Sequence, residues 1–341
     1  MSDSNRRTIS QDDSLPPVEP PNAAFLVQLF LVPGVIVAII VCVWLAFHWL
    51  AHLGSDPQAY VRTLRRDNEG RWQAALNLAN DLRGPGGGVL KSDEPLATEL
   101  GRILTDESAS GRSGEQSQTL KLYLCRALGE FSIPAAAGPL VDRVQNLADP
   151  QTSRAAVEAI AVLATNLVAA GRSFGNPADV TTAVVAASRS DDVPLRSAAA
   201  FTLGVLGGDE ALERLGQLSG DDADDVRSNA ALALARLGRV ESYEALGDML
   251  ALPDVAPPAV ASADAVAQSR RYKRALVVIN ALRGVAMLVD ATNEPPPRQV
   301  LERVEQLTQD PLGDVRTSAA ALLKKVERLA TPATKSPGKD L

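Results

Sequence analysis

Histidine and cysteine are nearly absent from this chain of 341 residues, which contains two of each. His48 and His52 both lie in one long apolar stretch, so the rest of the chain has no histidine, and catalytic groups of the Ser-His-Asp or Cys-His type are excluded there. Cys42 and Cys125 are far apart in sequence, which argues against a disulfide framework and excludes a zinc site built from several cysteines. We expect no catalytic, cofactor-binding or metal-binding residue in this chain.

Aromatic residues and an excess of positive charge are also missing. Aromatic side chains make up 4% of the chain, so the core must be built from Ala, Leu and Val, which favours close-packed helices over a β-sandwich. Nucleic-acid-binding proteins typically carry an excess of positive charge, whereas this chain has a net charge of −7 and a pI near 5.1. The composition therefore predicts an all-α protein with no nucleic-acid partner.

Charged residues are missing altogether from residues 23–53. As a helix this run would be about 46 Å long, more than the apolar thickness of a bilayer, about 30 Å. A cleaved signal peptide is the main alternative, but its apolar region is shorter and ends in small residues, whereas this run ends in FHWLAHL. A buried core helix rarely stays apolar on every face for so long. We predict a transmembrane helix over residues 23–53, with the lipid bilayer as its partner.

The arginines on either side of this helix indicate its orientation. Two precede the helix and four follow it, namely Arg6 and Arg7, then Arg62, Arg65, Arg66 and Arg71. The larger number of positive charges favours the cytoplasmic side. We therefore predict a single-pass membrane protein with a cytoplasmic C-terminal part. Residues 1–22 and 331–341 are predicted to be a disordered leader and a disordered tail.

The remaining chain repeats one template. LRSAAAFTLGVLGG starts at Leu195 and VRSNAALALARLGR starts at Val226. Counted from Arg196 or Arg227, both place Ala three and four residues later, Leu seven and ten later, and Gly eleven later. These offsets trace one face of a helix. Further copies predict about seven units within residues 54–330; they lie around Arg71, Lys121, Arg154, Lys273 with Arg274, and Arg316.

Most template helices are followed by a second helix and then by an Asp-rich or Pro-containing link. The second helices are EPLATELGRIL, GPLVDRVQNLA, DEALERLGQLS, ESYEALGDML and RQVLERVEQLT, and the links are LADPQ, SDDVP, GDDADD and QDPLGD. Asp in such a link caps the next helix, so we expect solvated caps, rather than a cation site, at Asp221, Asp222, Asp224 and Asp225. We predict that the recurring Arg196, Arg227 and Arg316 each bridge to an Asp of the adjacent link.

Helix pairs whose first helix begins D-x-x-V-R-x-x-A-A-x-A-L resemble HEAT repeats, and most closely the short HEAT-like repeats of the phycocyanobilin-lyase type. The resemblance covers residues 60–330 and is most specific in the Arg196, Arg227 and Arg316 units. It implies a right-handed α-solenoid whose inner helices form an extended interaction surface. With the predicted anchor, the chain resembles the single-pass HEAT-repeat membrane proteins of bacteria, for which no chemistry is implied.

Four other features have structural interpretations. GPGGGVLKS at residues 84–92 lacks the glycine that must precede the lysine of a phosphate-binding loop, so we predict a turn between two helices. Residues 105–118 are polar and predict a mobile loop. Residues 252–274 predict a linker followed by a helix start, whose basic cluster could otherwise contact anionic lipid or an acidic partner. Cys125 is predicted to be a small buried hydrophobic residue.

The sequence thus predicts a membrane-anchored HEAT-repeat scaffold or adaptor that mediates protein–protein interaction and is not an enzyme. Candidate protein-binding residues lie on the polar faces of the second helices: Arg143, Arg214, Glu244 and Arg303. Two alternatives stay open. One is a chromophore-lyase-like protein or lyase subunit, for which Cys125 would be the residue to test. The other is a self-associating structural envelope protein.

Overall fold

The computed structural model describes residues 23–52, 57–66, 68, 70–253 and 265–330, and the chain divides into two compact units, Met1–Asp56 and Pro57–Leu341. The described residues contain helices and no strand, which confirms the predicted all-α fold. The predicted leader, the predicted tail and most of the predicted linker lie outside the described residues.

The first unit contributes one helix, α1 (Ala23–His52), which runs through Pro33. All the described side chains in this helix, Leu31–Phe47, are exposed although most of them are apolar. Residues 23–52 therefore form a helix about 45 Å long, since an α-helix rises about 1.5 Å per residue.

The second unit begins with a short helix, α2 (Pro57–Leu64). The helices that follow are α3 (Arg71–Arg83), α4 (Glu94–Ala109), α5 (Glu115–Gly129), α6 (Ala137–Gln145), α7 (Pro150–Ala169), α8 (Pro177–Ala187), α9 (Val193–Leu206), α10 (Asp209–Leu218), α11 (Asp224–Arg236), α12 (Tyr243–Leu250), α13 (Ala265–Thr292), α14 (Arg298–Leu307) and α15 (Gly313–Ala330). The template copies and the five predicted second helices all fall on these helices. The predicted turn at residues 84–92 joins α3 to α4 and contains a short 3-10 helix, Leu90–Ser92.

The helices of the second unit form two layers. In the first-helix layer, α3, α5, α7, α9, α11, α13 and α15 each pack against the next. In the second-helix layer, α4, α6, α8 and α10 pack in series, and α12 packs against α14. Each helix of one layer also contacts a neighbour in the other. This arrangement fits an α-solenoid, in which every unit buries its apolar face against the units beside it.

Small residues let the first helices approach each other closely. A side-chain Cβ added to Gly204 in α9 would lie 2.5 Å from the Cβ of Ala233 in α11. A Cβ added to Gly129 in α5 would lie 2.8 Å from the carbonyl oxygen of Ala159 in α7. Small residues therefore lie at both helix crossings.

The two contacts occupy the same place in the repeat, and comparing them shows that the predicted register of α7 is wrong by one residue. Ala233 is six residues after Arg227, and Ala159 is six residues after Ser153 rather than Arg154. Ser153 is fully buried and its hydroxyl donates to the carbonyl of Val144 at 3.0 Å, whereas the Arg154 side chain is 44% exposed. Ser153, rather than Arg154, therefore occupies the template position of α7.

The predicted mobile loop at residues 105–118 is also wrong. α4 continues to Ala109 and α5 begins at Glu115, so only residues 110–114 connect them. Glu107 is buried, and it accepts hydrogen bonds from Arg71 (2.7 Å), Arg112 (2.8 Å) and Ser117 (2.6 Å). Burial raises the pKa of Glu107, but the bonds from Ser117 and Arg71 outweigh it, and the pKa is lowered overall. The polar composition of the segment reflects this internal cluster.

Two links cap their helices as predicted. The Asp149 carboxylate accepts from the backbone N–H of Thr152 at 3.1 Å, and Asp192 accepts from that of Leu195 at 2.7 Å. Burial raises the pKa of Asp149, yet bonds from Lys121 and Thr152 lower it to about 2. Lys121 thus joins α5 to the link that precedes α7.

The link before α11 differs from the prediction. Asp221 accepts both the Nε and the Nη2 of Arg196 at 2.9 Å, so it is an arginine partner rather than a solvated cap. Arg196 therefore bridges to the adjacent link, as predicted. Arg227 and Arg316 instead bind their own links, through the carbonyl oxygens of Asp221 (2.6 Å) and Asp310 (2.7 Å).

Two described helices of the second unit are long and apolar enough to cross a membrane, namely Pro150–Ala169 and Ala267–Thr292. In their most apolar windows 56% and 39% of the residues are buried inside the protein. Core helices of soluble proteins meet the same criteria, so this finding is weak support for a membrane location.

Candidate protein-binding face

The four residues predicted to bind a partner lie apart on four helices of the second-helix layer. Arg143 is on α6 and Arg214 on α10, while Glu244 and Arg303 are on the adjacent helices α12 and α14. Glu244 is exposed, and Nη1 of Arg303 lies 3.8 Å from Oδ1 of Asp248. The structure brings only the helices of Glu244 and Arg303 together.

Arg214 is used for packing. Its Nε donates to the hydroxyl of Ser188 at 2.7 Å, and its Nη2 donates to the Ser188 carbonyl at 2.8 Å. Ser188 is the C-cap of α8, so these two hydrogen bonds hold α10 against the end of α8. Burial, followed by the nearby charge of Arg189, lowers the pKa of Arg214. A side chain held in this way is poorly placed to contact a partner.

The opposite layer carries a groove that no second-helix residue lines. This N-terminal groove has a volume of about 470 Å³ and is formed by α3, α5 and α7. Its lining includes Arg83, Tyr123, Arg126, Arg154, Glu158 and Val162. The guanidinium of Arg126 lies over the Tyr123 ring at 5.5 Å, and Trp72 stacks on the same ring with centroids 6.2 Å apart. A cation over an aromatic face is attracted by the negative potential of the ring.

A C-terminal groove of about 280 Å³ lies on α9, α11 and α13. Its lining includes Phe201, Asn229, Arg236, Asn280, Arg283 and Met287. The guanidinium of Arg236 lies over the Phe201 ring at 5.1 Å. The aromatic–arginine pair of the first groove is thus repeated in the second. We call the named residues of both grooves the first-helix face.

Both grooves open on the same side of the first-helix layer. Their residues recur two, five and nine positions after the template position of each helix, and such positions share one helical face. The residues at offset two are Tyr123 and Asn229, those at offset five are Arg126, Glu158 and Phe201, and those at offset nine are Val162, Arg236 and Arg283. Because α7 packs against α9, the two grooves follow each other along one layer.

A larger groove, of about 690 Å³, is lined by residues from the second-helix layer and its connections. Its floor includes Phe174 and Val180, and its rim includes Asp142 and Asp179. None of the four predicted residues lines this groove. It has no aromatic–arginine pair among the described contacts, and its acidic rim matches the overall charge of the chain.

Cys125 and possible metal ligands are the groups in the described residues on which a chemical reaction could depend. Cys125 is completely buried, as predicted, and burial raises the pKa of its thiol to about 12. Since the thiolate is the reactive form, this cysteine is inert near neutral pH. Among the residues described, no group of three or more His, Cys, Asp and Glu side chains is placed to hold a metal ion.

A profile of the HEAT repeats matches residues 180–267, which span α8 to the start of α13. Together with the two-layer all-helical fold, this match supports a HEAT-like repeat protein. No curated protein matches the chain. The finer resemblance to repeats of the phycocyanobilin-lyase type stays a prediction.

Three solved structures are similar to this HEAT-like chain. Human deoxyhypusine hydroxylase in complex with glycerol is 17% identical, and the match covers 80% of this chain and 96% of that chain at a TM-score of 0.31. One engineered protein is 18% identical, with 81% and 98% covered and a TM-score of 0.32. Another is 17% identical, with 81% and 82% covered and a TM-score of 0.33. TM-scores this low carry no argument about fold or function.

The HEAT-like template itself held the signal for the first-helix face that our sequence analysis missed. The template buries the positions three, four, seven and eight residues after its start, so position five is left exposed. Phe201 occupies that position in α9, in one of the two clearest copies of the template, and is 44% exposed. A single exposed aromatic is ordinary, but Phe201 lies under Arg236 and lines the C-terminal groove.

Proposed function

We propose that this chain is a membrane-anchored scaffold that binds a protein partner and catalyses no reaction. The observation that supports the proposal is the first-helix face. Its aromatic–arginine pairs are Tyr123 with Arg126, both on α5, and Phe201 on α9 with Arg236 on α11. Aromatic and arginine side chains are enriched where proteins bind each other. HEAT repeats generally act as protein-interaction scaffolds, which favours the same function.

The anchor we propose is α1, with the bilayer as its partner and the second unit on the cytoplasmic side. The helix has no charged residue, its described side chains are exposed, and it is long enough to span an apolar core of about 30 Å. The two apolar helices of the second unit are a poorer choice, because α7 and α13 bury their apolar faces in the solenoid. The orientation rests on the arginines that follow residue 53.

The test is in-cell crosslinking of the tagged full-length protein, followed by membrane fractionation and mass spectrometry. We expect the chain in the membrane fraction after an alkaline wash, crosslinked to a near-stoichiometric second protein through the solenoid. A variant lacking residues 23–53 should leave the membrane fraction, which makes it the control for anchoring. Crosslinks between copies of this chain alone would overturn the scaffold proposal in favour of a self-associating protein. Visible absorbance in the purified protein would overturn it in favour of the lyase alternative.

A further inference from the structure

We propose that the first-helix face binds an acidic peptide segment of the partner, one that alternates carboxylates with apolar side chains. This inference rests on the proposed scaffold function and specifies the chemistry of its partner. Three observations support it: the charge of the two grooves, the apolar surface beside that charge, and the three arginines that form no ion pair within the described part of the chain.

The charge of the face is opposite to that of the whole chain. The grooves are lined by five arginines and two glutamates, in a protein whose net charge is −7. One of the glutamates, Glu130, is nearly buried and is already paired with Arg83 at 2.7 Å and Lys91 at 3.9 Å. The exposed balance of the face is therefore positive, which complements an acidic partner.

Three of the arginines have guanidinium groups without carboxylate partners. Arg126, Arg236 and Arg283 form no ion pair within the described part of the chain. The guanidinium groups of Arg126 and Arg236 lie over aromatic rings, with Cζ 5.5 Å and 5.1 Å from the ring centroids, and this attraction restrains them. A planar group held in this way can donate two parallel hydrogen bonds to a carboxylate at little further cost in entropy.

Apolar surface lies between these charges. Phe201 is 44% exposed, Met287 38% and Val162 37%. Singly exposed apolar residues are ordinary, but these belong to the lining of two adjacent grooves on one face. A purely acidic ligand would leave this surface in water, whereas alternating apolar and acidic side chains would cover both parts of the face.

A nucleic acid is the other polyanion that such a face could attract. Glu158 argues against it, because its exposed carboxylate lies in the N-terminal groove and would repel a phosphate backbone. Glu158 is also only 3.6 Å from Arg154, so it weakens the field of that arginine. An acidic peptide can place a backbone N–H or a serine hydroxyl against Glu158, which a run of phosphates cannot do.

The experiment measures the binding of a fluorescein-labelled peptide in which glutamates alternate with leucines. The full-length protein, purified in mild detergent, is titrated and followed by fluorescence anisotropy. We expect salt-sensitive binding that the double variant Arg126→Glu, Arg236→Glu weakens by at least about tenfold. Arg298→Glu is the matched control, since this arginine is exposed on α14 in the other layer, and it should bind like the wild type. Circular dichroism checks that each variant is folded.

Three outcomes would overturn the inference. They are equal binding by the double variant, equal binding of a peptide with lysine in place of glutamate, and displacement of the labelled peptide by single-stranded oligothymidine.

The crosslinking experiment separates this inference from the proposed function. If the double variant still captures the same partner in cells, the partner binds elsewhere, so this inference fails while the scaffold function stands. If neither the wild type nor the double variant captures a partner, the scaffold function fails.

Discussion

The units that begin at Arg196 and Arg227 are the most alike in sequence, yet their arginines bind differently. Nη1 of Arg196 donates to the carbonyl of Ser190, six residues earlier, and Nη1 of Arg227 donates to that of Asp221, also six residues earlier. Arg196 in addition forms a double hydrogen bond with the carboxylate of Asp221 in the next unit. The carboxylate that Arg227 contacts is instead that of Asp224, at the start of its own helix.

The difference shows that the template determines the hydrogen bond within a unit, whereas the neighbouring link determines the hydrogen bond between units. The bond to the carbonyl six residues earlier recurs at Arg316, whose Nη1 donates to Asp310. It depends on the backbone of the arginine's own unit, so a copy that has arginine at the template position can supply it. The bond across the units needs a carboxylate in the next link, and this link changes in length and sequence along the chain.

The largest effect is expected at the crossing between these two units. Gly204→Val would force a branched side chain against Ala233, whose Cβ would lie 2.5 Å from the new Cβ of residue 204. We expect a loss of about 3 kcal/mol in the free energy of unfolding, because α9 and α11 would have to move apart. Chemical denaturation of the full-length protein measures it.

Gly216→Ala is the control for this substitution. Gly216 lies in α10, where an added Cβ would meet no atom within 4 Å. Alanine has a higher helix propensity than glycine by about 1 kcal/mol, so this variant should be slightly more stable than the wild type. A Gly204→Val variant as stable as the wild type would contradict the close packing of the two units.

The next largest effect compares two aspartates of one link. Asp221→Ala removes both hydrogen bonds to Arg196 and should cost about 2 kcal/mol, because the side chains of Asp221 and Arg196 are 12% and 16% exposed. Asp224→Ala should change stability by no more than about 0.5 kcal/mol, since its side chain is 89% exposed. The midpoints of urea unfolding give both values. Equal losses of stability in the two variants would mean that the hydrogen bonds between units contribute no more than those within a unit.

The sequence predicted the parts of this fold that local rules determine. The offsets from Arg196 predicted which helical face is buried, and Asp149 and Asp192 were correctly predicted as caps. Both depend on residues within a few positions of each other, where helix geometry settles the outcome.

What the sequence did not predict depends on residues that are distant along the chain. Glu107 is buried because Arg71, in the preceding helix, pairs with it, and no local pattern indicates such a partner. The register of α7 was missed for the same reason, since the close approach of Gly129 to Ala159 selects Ser153 over Arg154. The four candidate binding residues on the second helices stay a prediction, and the sequence did not show that one of them, Arg214, is used for packing against Ser188.

The smallest effect we expect is on the pH dependence of stability. The guanidinium of Arg196 holds the pKa of Asp221 below its ordinary value of 3.8. A carboxylate whose pKa is lowered by folding stabilises the protein above its unfolded pKa, and this contribution is lost as the pH falls through the folded pKa. The wild type should therefore lose stability on acidification below about pH 4, and Asp221→Asn should lose less over the same range. Thermal unfolding at about pH 6 and about pH 3 measures the difference. Asp224→Asn should follow the wild type, because Asp224 is exposed, and a matching change in both variants would remove the distinction between the two aspartates.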